Sequence, residues 1–251
     1  MTVEEYLAHC YRIPPILPSL PLDDEKFLSK WRAAQGDAAI KFLSELYGRD
    51  LNLRGVIKIS FAQTLAGKLP VVDTENHQDF TTLAAWLMNQ EEKPLPQTVN
   101  AFTIPAQIHG EKHRIILLNR APYSNVAADK LSLTADEWLI KSHVLRLRHE
   151  SAHYETLRLF GGMKNHALDE ILADALGQLA AFGNFDADRQ RIFFGLDGYK
   201  CTGRLQFYCQ KVSPLERPKI YAAVDKFLDK ISLEGKSELE ILCELAGRRL
   251  A

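Results

Sequence analysis

The sequence predicts an α+β fold rich in helix: a small mixed or antiparallel sheet packed on one long helix that carries His-Glu-x-x-His, followed by a helical C-terminal lobe. Three observations predict it. In the first half of the chain, 55–61 alternates apolar and polar residues, as a half-buried strand does, and 99–104 and 114–118 also read as strands. Beyond residue 134, apolar residues recur at three- and four-residue spacing between recognisable cap signals. The helix that opens there holds His149 and His153 four residues apart, and the next holds Glu170 and Asp174 at the same spacing. Any division into lobes is expected near Gly161-Gly162. That gives residues 1–161 with the sheet and the His-bearing helix, and 162–251 as the helical lobe, or else one compact domain.

In chain order, residues 2–11 read as a short helix with Val3, Tyr6, Leu7 and Cys10 on one face. Pro14, Pro15, Pro18 and Pro21 fix φ and remove donors, so an extended strap follows, lying over the body in preference to serving as a proline-docking ligand. Asp23 or Asp24 caps a helix through Trp31, and a second helix runs 37–47 to Gly48; Phe27, Trp31, Ile40, Leu43 and Leu46 are their buried residues. A helix at 80–89 turns Leu83, Ala84 and Leu87 inward and is punctuated by Pro94 and Pro96. The turn around Gly110 holds His109 and His113, read as solvated in preference to metal-binding. Residues 121–130 are polar and turn-like, suited to a mobile rim. Thr134 with Glu137 makes a capping box for the long helix, which runs to about Phe160 and stops at Gly161-Gly162. Asn165-His166 caps the next, which ends at Phe182 and Gly183. Gly177 inside it costs about 1 kcal/mol relative to Ala, and tight packing of the two helices is the expected compensation. Helices at 186–194, 215–231 and 237–250 complete the chain, with a loop from Gly195 to Gly198 between the first two.

At 251 residues the chain can bury a substantial core, and 46% apolar with 25% charged content is that of an ordinary soluble globular protein. A net charge of −1 excludes an overall electrostatic footprint for nucleic acid or an anionic membrane. No apolar run approaches the roughly 18 residues of a membrane span. The first ten residues contain Glu4 and Glu5 and lack the basic start and apolar core of a secretory signal. Cys10, Cys201, Cys209 and Cys243 show no Cys-x-x-Cys spacing, so reduced thiols and a cytoplasmic location are expected.

The chemistry-bearing residues are concentrated in the two central helices. Positions i and i+4 lie about 40° apart around a helix axis, so His149 and His153 can aim both imidazoles at one ion. Glu150 projects about 100° further round, too far for a natural third ligand but within reach of a water on that ion. Glu170 completes the ligand set from the second helix and leaves a position for solvent. His166 is the competing third ligand; Glu170 is preferred because Asp174 then falls in register to orient a ligand imidazole through its far nitrogen. Arg146, one turn before His149, reads either as an ordinary surface guanidinium or as the partner of a cleft carboxylate. His-Glu-x-x-His is expected by chance on the order of 0.02 times in a chain of this composition. A coincidence on a solvated face is therefore the weaker reading.

These segments resemble a known family. His149-Glu150-x-x-His153 with Asp169-Glu170-Ile171-Leu172-Ala173-Asp174-Ala175-Leu176-Gly177 is similar to the active-site helices of gluzincin metallopeptidases, the thermolysin-like branch above all, whose second helix carries Asn-Glu-x-x-x-Asp-x-x-Gly. The likeness covers residues 134–182. It differs in having Asp169 for the Asn, a slightly shorter spacing from His153 to Glu170, and no downstream His to meet an oxyanion. Metzincins are excluded, since their Gly and third His would fall at Thr156 and Leu159. The resemblance implies a Zn2+ ion on His149, His153 and Glu170, Glu150 as general base, Asp174 orienting His149, and a peptide or protein substrate. It also implies an edge strand beside the active-site helix to pair with extended substrate, and Arg114 to Asn119 is the segment expected there. Tyr199, Arg204 and Tyr208 are the candidate oxyanion donors, in the segment expected across the cleft. The function expected is zinc-dependent hydrolysis of peptide bonds. The alternatives are a non-catalytic zinc-binding interaction protein and a hydrolase of small non-peptide amides. Oligomeric state is not legible.

Overall fold

The structure is a computed structural model that describes residues 1–17, 23–48, 50–91, 93–108 and 111–251. In chain order the first elements are α1 (Val3–Leu7), α2 (Glu25–Leu28), β1 (Ala34–Gln35), α3 (Asp37–Tyr47), β2 (Ile57–Thr64), β3 (Gly67–Thr74), α4 (His77–Leu87), β4 (Ala101–Ile108) and β5 (Glu111–Asn119). Two 3-10 turns, Tyr123–Asn125 and Ala128–Leu131, lead into α5 (Ala135–Phe160), α6 (Ala167–Phe182) and α7 (Ala187–Phe194). The hairpin β6 (Leu196–Asp197) and β7 (Lys200–Cys201), then α8 (Leu205–Tyr208), α9 (Arg217–Leu228) and α10 (Glu238–Gly247) follow. The fold is α+β and rich in helix, as the patterning predicts. No helix among the described residues is long and apolar enough to cross a membrane.

The chain divides into two compact units: Pro18–Ala121, and Met1–Leu17 together with Pro122–Ala251. In the first, five strands form one mixed sheet in the order β1-β2-β3-β5-β4. β2 with β3 and β4 with β5 are antiparallel pairs, and β3 joins β5 in parallel. A parallel pair needs a crossover, and α4 lies within it. Ile57, Ile59, Val72, Ile115 and Leu117 of the sheet share a core with Leu43 of α3 and with Phe80, Leu83 and Leu87 of α4. β3 has no counterpart among the expected strands. Its apolar run is unbroken, because β3 is buried on both faces, and Pro70 reads as a breaker. Pro70 is tolerated because the parallel ladder opens one residue later, at Val71↔Ile116.

Two expectations are corrected here. Arg114 to Asn119 is no edge: β5 is flanked by β3 on one side and β4 on the other, so its backbone groups are already paired. The sheet packs on α3 and α4 of its own unit, whereas α5 belongs to the other unit. Of the two histidines expected in a solvated turn, His109 lies outside the described residues. His113 is in β5, stacked on Phe27 with ring centroids 4.0 Å apart.

The second unit is helical apart from the β6–β7 hairpin. Thr134 and Glu137 close the capping box of α5, and Gly161 ends it at φ 73°. The expected boundary at Gly161-Gly162 is also corrected, since it only returns the chain so that α6 packs along α5 inside one unit. That packing depends on Gly177, where a Cβ would come within 2.9 Å of the Leu145 carbonyl oxygen. The N-terminal segment belongs to this unit. Tyr11 N–H donates to Ala246 O at 2.8 Å and Leu7 O accepts from Leu250 N–H at 3.2 Å, so α1 stops at Leu7, short of the expected residue 11.

Candidate metal centre

α5 presents His149 and His153 on one face and α6 presents Glu170 and Asp174 against them; all four are buried. His149 Nε2 lies 3.0 Å from His153 Nε2, and Glu170 reaches the two nitrogens at 3.5 and 3.4 Å through its separate oxygens. Zinc bonds of about 2.0–2.2 Å in a tetrahedron set ligand atoms about 3.4 Å apart, so these three contacts fit the edges of a zinc site. Among the described residues, the cluster contains three side chains that could hold a metal ion.

The nitrogen facing away from this point explains the polarity. His149 Nδ1 donates to Asp174 Oδ1 at 2.8 Å, which leaves the Nε2 lone pair directed at the cluster. The Tyr123 hydroxyl lies 2.9 Å from the same Nδ1 and donates to Asp174 Oδ1 as well. On its other oxygen Asp174 accepts from Gln190 Nε2 and from the Arg204 guanidinium. Arg204 also donates to Glu170 Oε2 at 3.3 Å and lies over the rings of Tyr123 and Phe194. One guanidinium thus grips two of the acidic residues of α6, Glu170 and Asp174.

Charge states follow from these contacts. Burial alone would raise Glu170, but His153, His149 and Arg204 outweigh it and hold the carboxyl at about 2. Asp174 is likewise held below the usual carboxylate range, against its burial, by Arg204 and His149. Burial pulls His153 down, yet Glu170, supported by Glu150 and Asp169, lifts the metal-free imidazole to about 9. Tyr123 and Tyr208 are pushed well above the ordinary phenol range, chiefly by burial, and stay neutral donors.

The structure brings together His149, His153, Glu170 and Asp174, with Glu150 beside them on α5 and 8% exposed. Tyr208 hydrogen-bonds Glu170 and so reaches the cluster. Arg204 reaches it too, its two terminal nitrogens engaged by Glu170 and Asp174 and its Nε buried without a hydrogen-bond partner. Tyr199 is not brought in: it is 64% exposed on the β6–β7 turn, with the Lys200 ammonium over its ring. Arg146 is not a surface residue. It is 4% exposed, donates to Pro122 O at 3.2 Å and lies over the Tyr123 ring. His166 is the N-cap of α6, its Nδ1 accepting from Leu168 N–H at 3.1 Å, and is no ligand of this cluster. Sequence reasoning missed Tyr123 and Gln190. Tyr123 sits in a stretch that reads as a polar rim, and Gln190 in a helix whose one distinguishing signal is a polar residue on the face of Phe193 and Phe194.

The profile of a family of unknown function, DUF7005, matches residues 104–232, just over half the chain and all of the cluster. No curated protein and no solved structure matches.

Proposed function

We propose that this chain, which belongs to the DUF7005 family of unknown function, is a zinc-dependent hydrolase of peptide or related amide bonds. The observation that carries the reading is the convergence of His149 Nε2, His153 Nε2 and Glu170 at 3.0–3.5 Å, with His149 turned by Asp174 so that its lone pair faces the others. A zinc ion held there supplies a Lewis acid and lowers the pKa of a water. Glu150, adjacent to His149 on α5 yet outside the ligand set, takes the proton of the attacking water and passes it to the leaving nitrogen. Tyr208, a neutral phenol hydrogen-bonded to Glu170, is the candidate donor to a developing oxyanion. Arg204 positions Glu170 and Asp174. Three protein ligands without Cys support a catalytic site over a structural one, which usually fills four positions and favours Cys.

Glu150→Gln tests this directly. It preserves shape and removes the basic oxygen, so zinc content should match wild type while cleavage of a mixed peptide library falls at least about 100-fold. Equal activity in Glu150→Gln would refute the base. A zinc-loaded wild type that cleaves nothing would leave a non-catalytic zinc-binding protein.

A further inference from the structure

A second cluster forms where the N-terminal segment meets the start of α6. His9, His166 and Asp169 each offer a ligating atom within 4.8 Å of the others. His166 is already committed, its Nδ1 to Leu168 N–H and its Nε2, as donor, to Tyr6 O at 3.0 Å, so it walls the cluster. His9 Nε2 and Asp169 Oδ2 are different. Both atoms are buried, they stand 3.9 Å apart, and neither has a hydrogen-bond partner. That separation is too long for an N–H···O bond, and buried polar atoms left this way call for a further body between them. Asp169 is 1% exposed, and its other oxygen accepts from the Tyr11 hydroxyl and from Lys164 N–H at 3.3 Å, so the carboxylate cannot turn away. Such fixing from behind is how proteins orient a metal ligand. A pocket of about 210 Å³, lined by His9, His166, Lys164 and Lys211 among others, lies beside the cluster.

We propose that His9 Nε2 and Asp169 Oδ2 are the protein ligands of a second divalent cation, of the class that accepts imidazole together with carboxylate, with water completing its coordination. Burial pulls His9 down to about 4, so its ring is neutral at pH 7 and offers a lone pair. The Lys164 ammonium, 3.4 Å from His9 Nδ1, is on an exposed residue and withdraws into solvent once Nδ1 carries the proton. With two protein ligands this site binds more weakly than the one formed by His149, His153 and Glu170, and the two are separable by mutation.

Titration of the metal-free protein with zinc sulfate, read by metal analysis and calorimetry, should give two ions per wild-type chain, the second weaker. His9→Ala and Asp169→Asn should each lose the second ion and keep the first, with unchanged circular dichroism. Asn at 169 retains an oxygen for Tyr11 and Lys164, so it tests the ligand without dismantling the fold. His149→Ala should keep the second ion, so failure of one site is not mistaken for failure of the other. In zinc-soaked crystals an anomalous peak should lie between His9 Nε2 and Asp169 Oδ2. One ion per wild-type chain, a second ion undiminished in both variants, or only a water between the two atoms would overturn the proposal.

Discussion

Replacing Asp174 by Asn should weaken folding and zinc binding together, and removing Arg204 as well should restore much of the folding loss. Asp174 is fully buried and accepts from four donors: the Tyr123 hydroxyl, His149 Nδ1, Gln190 Nε2 and Arg204. An Asn amide can satisfy one side only; its NH2 then meets either the Tyr123–His149 donors or the Gln190–Arg204 donors. Arg204 is left with Glu170 Oε2 at 3.3 Å as its remaining carboxylate contact. Stranding one member of a buried ion pair costs about 3–5 kcal/mol. Loss of the group that orients a ligand histidine weakens zinc about 10–100-fold, which is about 1.4–2.7 kcal/mol. The double variant Asp174→Asn, Arg204→Met removes the stranded charge and should recover about 0.5–3 kcal/mol of coupling. Urea unfolding of the metal-free proteins followed by circular dichroism gives the stability cycle, and chelator competition gives the affinity. Asp174→Asn within about 0.5 kcal/mol of wild type, or strict additivity in the double variant, would refute the reasoning.

Zinc uptake should release close to one proton per ion at pH 7, because the metal-free His153 is held at about 9 and the ion takes only the neutral ring; the competition weakens binding about 50-fold at pH 7 relative to pH 9. Calorimetry in buffers of differing ionisation enthalpy counts the protons, and a count near zero would show that His153 is already neutral. The raised pKa also stabilises the metal-free fold below the unfolded value of about 6.5, a contribution lost as pH rises through 9, so metal-free Tm should fall across that interval. Gly177→Ala should destabilise by about 1–3 kcal/mol despite its gain in helix propensity, since its Cβ would press on Leu145 O at 2.9 Å; a variant as stable as wild type in urea would show that α5 and α6 can part without cost.

The convergence of these side chains was legible because it is local in sequence: helical spacing puts His149 over His153 and Glu170 over Asp174, and the caps at Thr134 and Gly161 set the helix limits. What failed was what depends on partners distant in the chain. β3 is buried on both faces, so it carries no alternation, and its Pro70 is tolerated only because of where the parallel ladder starts. β5 looks like an edge until β3 is known to exist. Gly161-Gly162 reads as a boundary between lobes, but a left-handed glycine ends a helix equally well inside one unit. Arg204 could be flagged near a site, yet only the fold reveals that its two terminal nitrogens are spent on Glu170 and Asp174.

That expenditure bears on the chemistry. Glu170 and Asp174 both remain anionic, and two carboxylates behind neutral imidazoles would cancel a divalent ion's charge completely. Arg204 offsets one of them from 3.3 Å or less, so a filled centre would be one unit less negative with Arg204 than without it, in a weakly screened setting. That offset would favour negative charge developing at the open position, which is what water activation and an oxyanion both require. A neutral replacement such as Arg204→Met should therefore reduce catalysis even where zinc is still held. Arg204 acts through the two carboxylates it grips, and its loss is separable from that of Glu150 by the pH profile: without Arg204 the apparent pKa of the catalytic water should shift upward, whereas Glu150→Gln should remove the acid-side limb that the base itself sets.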